Sequence, residues 1–243
     1  SDAGAIPNSA ITVNAGGTYT VDNSAGVALN RMSETAALTM NGGNFNFIGN
    51  GSVSTSESTG ALTLSSGHNV ITITPGAGGS TTMTFASLSR TAGASVLFRG
   101  TSLGSSPSAG VSTLMFTSAP TLTGAAGAAN STTISVIKGA FGDNALNGNG
   151  TDMVTYNIGN TNGLRLLNGA GFAGEYSSTL TTNTNVKLSA NTAASAVSIN
   201  SLVLNGFDIT NPGGASTITM ASASLSGNIL MNTANSIAGA NTT

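Results

Sequence analysis

The sequence predicts an all-β protein, and more narrowly a parallel β-helix (a β-solenoid) with irregular loop excursions. Three observations predict this fold: a small repeated unit, alternation of apolar and polar residues with a period of two, and corners of Asn, Ser and Gly with few helix signals between them. A unit this small cannot bury its own apolar face. Its copies must therefore stack and share one core.

The repeated unit consists of a short apolar strand, a polar corner and a second strand. It occurs at residues 11–21, 38–47, 62–73 and, more loosely, 88–98. The starts lie 27, 24 and 26 residues apart (38−11, 62−38 and 88−62). Spacings between about 20 and 50 residues are typical of stacked arrays, so one unit corresponds to about one coil of a solenoid.

Alternation along each strand predicts which side chains enter the core, because successive side chains of a strand point to opposite faces. The predicted core positions of the repeats are Ile11, Val13, Leu38, Met40, Leu62, Leu64, Ile71 and Ile73. The interleaved polar residues Thr39, Thr63 and Thr72 are predicted to face outward.

Helix signals are sparse along the whole chain. The 33 glycines interrupt most windows that would hold three helical turns, and the Thr, Val and Ile content favours strands. Residues 27–37 are the best helical candidate, because Val27, Met32 and Ala36 would share one helix face.

No break in composition divides the 243 residues, so a single domain over residues 1–243 is predicted. Two regions depart from the repeat: residues 99–110, which are rich in Ser and Gly, and residues 124–176, which carry four charges in a charge-poor chain. Insertions in solenoids usually map to loops on one face. Any specialised surface is therefore predicted in these two insertions.

Composition excludes several classes of partner. Charged residues make up 6% of the chain and the net charge is −2, against about 25% charged residues in a typical soluble domain. The six basic residues are scattered, so the sequence predicts no binding of nucleic acid. No apolar run reaches about 18 residues, so no membrane insertion by this segment is predicted. With no cysteine, disulfides and thiolate metal sites are excluded.

One pair of acidic residues lies close together in the sequence, Asp143 and Asp152. The stretch between them offers the carboxylate and backbone oxygens that Ca²⁺ prefers, but it lacks the ligand spacing of an EF-hand loop. We interpret it as a polar loop, with a metal site at Asp143 and Asp152 as the alternative. No cofactor is predicted.

Two short patterns imitate active-site motifs without their structural context. Residues 100–104 read Gly-x-Ser-x-Gly, but they lead into Ser105-Ser106-Pro107 where a nucleophile elbow needs a helix. Residues 169–174 match the Gly-x-Gly-x-x-Gly fingerprint of dinucleotide-binding proteins, but no helix pattern follows them. Both are interpreted as corners, and the chain is not predicted to be an enzyme.

Several segments repeat a pattern in which apolar residues alternate with Thr, Ser or Asn, with a Gly corner after most of them: residues 37–43, 60–67, 71–76, 185–188 and 199–206. This pattern resembles bacterial autotransporter-associated β-strand repeat proteins. The resemblance covers most of the chain, residues 11–98 best and 124–176 least. It implies a secreted, surface-displayed, right-handed β-helix with structural or adhesive roles and no shared catalytic residues.

Two functional hypotheses follow from the sequence. The first is an extracellular or cell-surface structural protein, a solenoid subunit or segment of a fibre that stacks head to tail with other copies of itself. It is motivated by a periodic pattern that continues close to both ends without polar caps. The second is a glycan-binding or glycan-cleaving β-helix, or an adhesin segment, that uses residues 99–110 and 124–176.

Overall fold

The computed structural model describes residues 9–27, 30–157, 161–211, 213, 216–220, 228–231 and 237. Within these residues the protein is all-β and contains no helix, so none long and apolar enough to cross a membrane is found there. The helix predicted at residues 27–37 is wrong for the described residues of that segment. Two of its backbone N–H groups, those of Arg31 and Met32, donate to the Glu57 carboxylate instead of to a helix carbonyl.

The described residues form 23 strands, most of them two to six residues long. They are β1 Ile11–Asn14, β2 Thr18–Asp22, β3 Leu38–Asn41, β4 Asn44–Ile48, β5 Thr55–Thr59, β6 Leu62–Ser66, β7 His68–Thr74, β8 Thr81–Phe85, β9 Leu88–Arg90, β10 Ser95–Gly100, β11 Ser112–Phe116, β12 Leu122–Thr123, β13 Val136–Ile137, β14 Ala140–Asp143, β15 Asp152–Tyr156, β16 Leu164–Leu166, β17 Asn185–Lys187, β18 Thr192–Ala193, β19 Val197–Ile199, β20 Ser201–Leu204, β21 Ile209–Thr210, β22 Ile218–Met220 and β23 Asn228–Met231.

Three sheets hold the predicted repeats. Their strand orders are β1-β3-β6-β9, then β2-β4-β7-β10-β14-β15-β16, then β5-β8-β11. All pairs from β1 to β14 within these sheets are parallel. Leu38 pairs with Leu62, and Leu62 with Leu88, so partners lie one predicted repeat apart in the sequence.

The register stacks like side chains on one another and buries them together. The six predicted core residues of the second and third repeats are all 0% exposed: Leu38, Met40, Leu62, Leu64, Ile71 and Ile73. Val13 is buried in the same cluster and Ile11 packs against it half-buried. A row of aromatic rings also passes through this cluster, from Tyr19 through Phe45, Phe85 and Phe116 to Tyr156.

The predicted outward face is only partly exposed. Thr39 and Thr63 are half-buried, and Thr72 is buried. Thr72 stands in a central strand between Asn46 and Arg99 of the neighbouring strands. These longer side chains flank the threonine on both sides and shield it from water.

Parallel pairing ends within the predicted insertion at residues 124–176. Within it β15 pairs antiparallel with both β14 and β16 in the long sheet, and β13 pairs antiparallel with β12, which lies just before the insertion. The shorter predicted insertion, residues 99–110, includes the turns between β10 and β11. It is tied to the longer one because the N–H of Leu103 donates to Asn144 Oδ1 at 3.0 Å.

Parallel pairing resumes near residue 185 in smaller sheets. Their strand orders are β17-β20-β23, β18-β21 and β19-β22. Val186, Leu188, Ile199, Leu202, Leu204 and Ile209 form a separate buried cluster beneath them.

Candidate functional site

The carboxylate of Asp143 closes its own loop. Its Oδ1 accepts the N–H of Ala145 at 2.8 Å, and its Oδ2 accepts the N–H of Gly150 at 3.0 Å. The side chain is buried. Asp143 therefore fastens the two ends of residues 143–150 together.

The carboxylate of Asp152 has different partners. Its Oδ1 lies 2.7 Å from Lys187 Nζ, and the Tyr176 hydroxyl also bonds to it. Burial, followed by the Asp152 charge, raises the pKa of Tyr176 well above its ordinary value, so the phenol stays protonated. Within the part of the chain that the structure describes, no group of three or more His, Asp or Glu side chains is placed to hold a metal ion.

A buried ion pair, Arg165 with Glu175, lies in the same insertion, and sequence reasoning missed it. Arg165 Nη1 is 2.7 Å from Glu175 Oε2, and Arg165 Nη2 is 2.6 Å from Glu175 Oε1. Both side chains are at most 1% exposed. The bidentate geometry is the strongest form of this interaction. Burial adds a large penalty if either partner is lost.

Backbone groups complete the surroundings of the Glu175 carboxylate. It accepts the N–H groups of Asn130 at 3.1 Å and Asn168 at 2.9 Å. The Phe172 ring lies 3.7 Å from the guanidinium carbon of Arg165. The glycine-rich segment at residues 169–174 is thus the loop that covers this ion pair, and it opens no helix.

The Gly-x-Ser-x-Gly pattern at residues 100–104 has a packing role. A Cβ added to Gly104 would lie 2.2 Å from Arg165 Cβ, and the φ of Gly104 is +87°. Only glycine combines this backbone conformation with so close an approach. The pattern therefore marks where the two insertions pack together.

Two buried carboxylates have pKa values displaced in opposite directions. Burial raises the pKa of Glu57 above its ordinary value of 4.5, and the N–H groups of Arg31 and Met32 offset this only in part. Burial acts in the same direction on Glu175, but the hydrogen bonds from Arg165, Asn168 and Asn130 outweigh it and hold its pKa below 4.5.

The two shifted pKa values predict opposite pH dependences for the contributions of Glu175 and Glu57 to the free energy of unfolding. The lowered pKa of Glu175 means that its contribution to the free energy of unfolding is present above 4.5 and is lost as the pH falls through the folded-state pKa. The raised pKa of Glu57 means that its contribution is present below 4.5 and is lost as the pH rises through the folded-state pKa. Urea titrations at a series of pH values measure both.

Two matched variants separate the contributions. Glu175→Gln is expected to lose less stability on acidification below 4.5 than the unmodified protein does. Glu57→Gln is expected to abolish the stability gained as the pH is lowered towards 4.5. Identical pH profiles for both variants and the unmodified protein would contradict the assignment.

A cleft of about 330 Å³ opens beside β9, the last strand of its sheet, and the hairpin of β12 and β13. It is lined by Leu88, Arg90, Thr121, Thr123, Ile137 and Lys138. Arg90 is held in place, because its Nη1 donates to the carbonyl of Ala94 at 2.8 Å. Its side chain also lies against Gly139, where an added Cβ would be 3.0 Å from Arg90 Cδ.

Comparisons with protein-family models, with curated proteins and with solved structures found no match to this chain.

Proposed function

We propose that this chain is a structural protein: a right-handed parallel β-helix that serves as a subunit or segment of an extracellular or cell-surface fibre and has no catalytic role. The observation that carries the proposal is the order in which consecutive strands visit the three parallel sheets. From β3 to β11 the chain passes through the first, second and third sheet in turn, three times over. Such a regular return to the same sheet every third strand is what stacked repeats of a solenoid require, so it supports the proposal.

The corners support close stacking of these coils. A Cβ on Gly76 would lie 1.5 Å from the carbonyl oxygen of Asn50, and one on Gly79 would lie 2.2 Å from the carbonyl carbon of Val53. Glycine is needed where one coil lies this close to the backbone of the coil before it. The right hand of the proposed helix follows the strong preference for right-handed connections between parallel strands.

Polar side chains add support by fixing the register between coils. Buried Asn69 accepts the N–H of Gly42 at 2.7 Å and donates to the carbonyl of Ser95 at 3.0 Å, which joins three successive corners. Inside the third sheet, Thr55 and Thr81 are joined through their hydroxyls at 3.2 Å. Buried polar groups that are satisfied in only one alignment disfavour slipped pairings.

The proposed partner is another copy of the chain, which adds strands to the free edges of β1 and β2. Among the described residues each of these strands pairs on one side only, β1 with β3 and β2 with β4. The edge of β5 differs, because Thr59 Oγ1 donates to the carbonyls of Ser33 and Ala36 and the N–H of Gly60 donates to Ala36. Strand addition is therefore expected at two of the three sheets.

Proline substitutions test this assembly. Ile11 donates its N–H towards β3, and the carbonyl of Gly17 accepts from Asn44, so alternation directs the N–H groups of Thr12 and Thr20 towards the free edges. The double variant Thr12→Pro/Thr20→Pro is expected to stay folded and to form no filaments in negative-stain microscopy.

The matched control is Thr12→Val/Thr20→Val, which keeps both N–H groups and the β-branched shape. It is expected to assemble like the unmodified protein, and moderate salt is expected to leave the filaments intact because few ion pairs are available to hold them. An unmodified chain that stays monomeric at high concentration, or filaments of equal length from the proline variant, would contradict the proposal.

A further inference from the structure

The cleft beside β9 arises where the regular pairing of strands fails. In the order of strands through the three sheets, β12 is the next one due to pair with β9. It pairs with β13 instead, and among the described residues β9 pairs only with β6. The edge of β9 and the hairpin therefore form two walls of a groove, and the cleft of about 330 Å³ lies between them.

The cleft combines three kinds of side chain in one small volume. Arg90 and Lys138 supply positive charge, Thr121 and Thr123 supply hydroxyls, and apolar surface comes from Leu88 and Ile137. The whole sequence has only six Lys and Arg residues, and two of them line this one cleft. Among the described residues that line the cleft, none is acidic.

The position and hydrogen bonding of Arg90 suit it to bind an anion. Neither ion pair between described residues involves Arg90, and its contacts with Ala94 and Gly139 fix the side chain at the cleft wall. Its guanidinium carries five N–H donors, of which the bond to Ala94 uses one. A carboxylate can accept two parallel hydrogen bonds from this fork.

We propose that this cleft binds a uronic acid residue of an acidic polysaccharide, with the sugar carboxylate at Arg90 and Lys138. The hydroxyls of Thr121 and Thr123 bond to the ring hydroxyls, and Leu88 and Ile137 pack against the C–H face of the pyranose. A volume of about 330 Å³ lies at the small end of the range of about 300–1,000 Å³ that ligand sites occupy, as one sugar ring requires. This assignment does not depend on the assembly proposed above.

Calorimetric titration with trigalacturonate tests the site. The unmodified chain is expected to bind this probe, and raising the NaCl concentration is expected to weaken the affinity. Arg90→Gln and Lys138→Gln are each expected to raise the Kd about tenfold, because each removes a charge-assisted hydrogen bond. Lys187→Gln is the matched control, since it removes one positive charge from a residue that does not line the cleft, and its Kd is expected to change by less than about twofold.

Two further probes distinguish a sugar site from a general anion site. A neutral galactose trisaccharide is expected to bind too weakly to measure, and inorganic phosphate is expected to bind at least about tenfold more weakly than trigalacturonate. The proposal is overturned if trigalacturonate does not bind, or if the neutral trisaccharide or phosphate binds as tightly as trigalacturonate does. It is also overturned if Lys187→Gln weakens trigalacturonate binding as much as Arg90→Gln does. Thermal melting of each variant identifies any loss that comes from unfolding.

Discussion

Leu64→Asp is expected to destabilise the protein by about 3–5 kcal/mol, the range found when a charge is left buried without a partner. Leu64 is 0% exposed and lies between Met40 and Arg90 of the neighbouring strands, with its side chain in the largest apolar cluster. The carboxylate would have to ionise inside this cluster, take up a proton, or draw Arg90 of the neighbouring strand away from its bond to Ala94, and each outcome costs free energy at neutral pH. Urea denaturation followed by circular dichroism measures the loss.

Thr63→Asp is the matched control for this prediction. Thr63 is the adjacent residue of the same strand, half-buried on the opposite face, where it accepts a hydrogen bond from Ser89 at 3.2 Å. An aspartate there keeps access to water, so the expected loss is at most about 1 kcal/mol. Equal losses for the two variants would contradict the alternation of inward and outward side chains along β6.

Alternation and spacing predicted the repeats because both are local properties of the chain. The residues on either side of Thr39 and Thr63 needed only the period of a strand to be placed in the core. The burial of Thr72 was not predictable in this way, because it depends on Arg99, which lies 27 residues later in the sequence (99−72) and beside Thr72 in the sheet. The local pattern therefore predicted the face of each strand but not the side chains that a neighbouring strand places beside it.

Whether strands pair parallel or antiparallel could not be predicted from the alternating pattern either. Met153 and its neighbours in β15 form an ordinary strand in sequence, yet β15 pairs antiparallel to both of its neighbours. A period of two is the same for parallel and antiparallel strands, so it contains no information on direction. The cleft beside β9 was not predicted either, because Arg90 and Lys138 come together only where β12 pairs with β13 and not with β9.

Only the rarity of charged residues in this chain pointed to the ion pair of Arg165 with Glu175. The two residues lie ten positions apart in the sequence (175−165), and the loop between them has no periodic pattern. In a chain with 6% charged residues, an arginine within the apolar run at residues 164–167 is the one hint that a buried partner was needed. The identity of that partner depends on the loop conformation, which alternation does not describe.

Arg165→Met is expected to destabilise the protein by about 3–5 kcal/mol. Methionine fills much of the volume of the arginine side chain, so the loss arises mainly from the Glu175 carboxylate, which keeps its two backbone donors but loses its counter-charge. The pKa of Glu175, now held low by Arg165, is expected to rise in the variant, because burial then acts with less opposition. The loss is therefore expected to be greatest at neutral pH and to shrink on acidification.

The double variant Arg165→Met/Glu175→Gln distinguishes the lost charge pair from lost packing. Glutamine keeps the shape of Glu175 and one acceptor oxygen, and it leaves no buried charge. The double variant is therefore expected to recover most of the stability lost in Arg165→Met, and the double-mutant cycle is expected to be strongly non-additive. If the two single losses simply add, or if Arg165→Met costs less than about 1 kcal/mol, the loop at residues 169–174 is held by packing on Phe172, and the ion pair is not what fastens it.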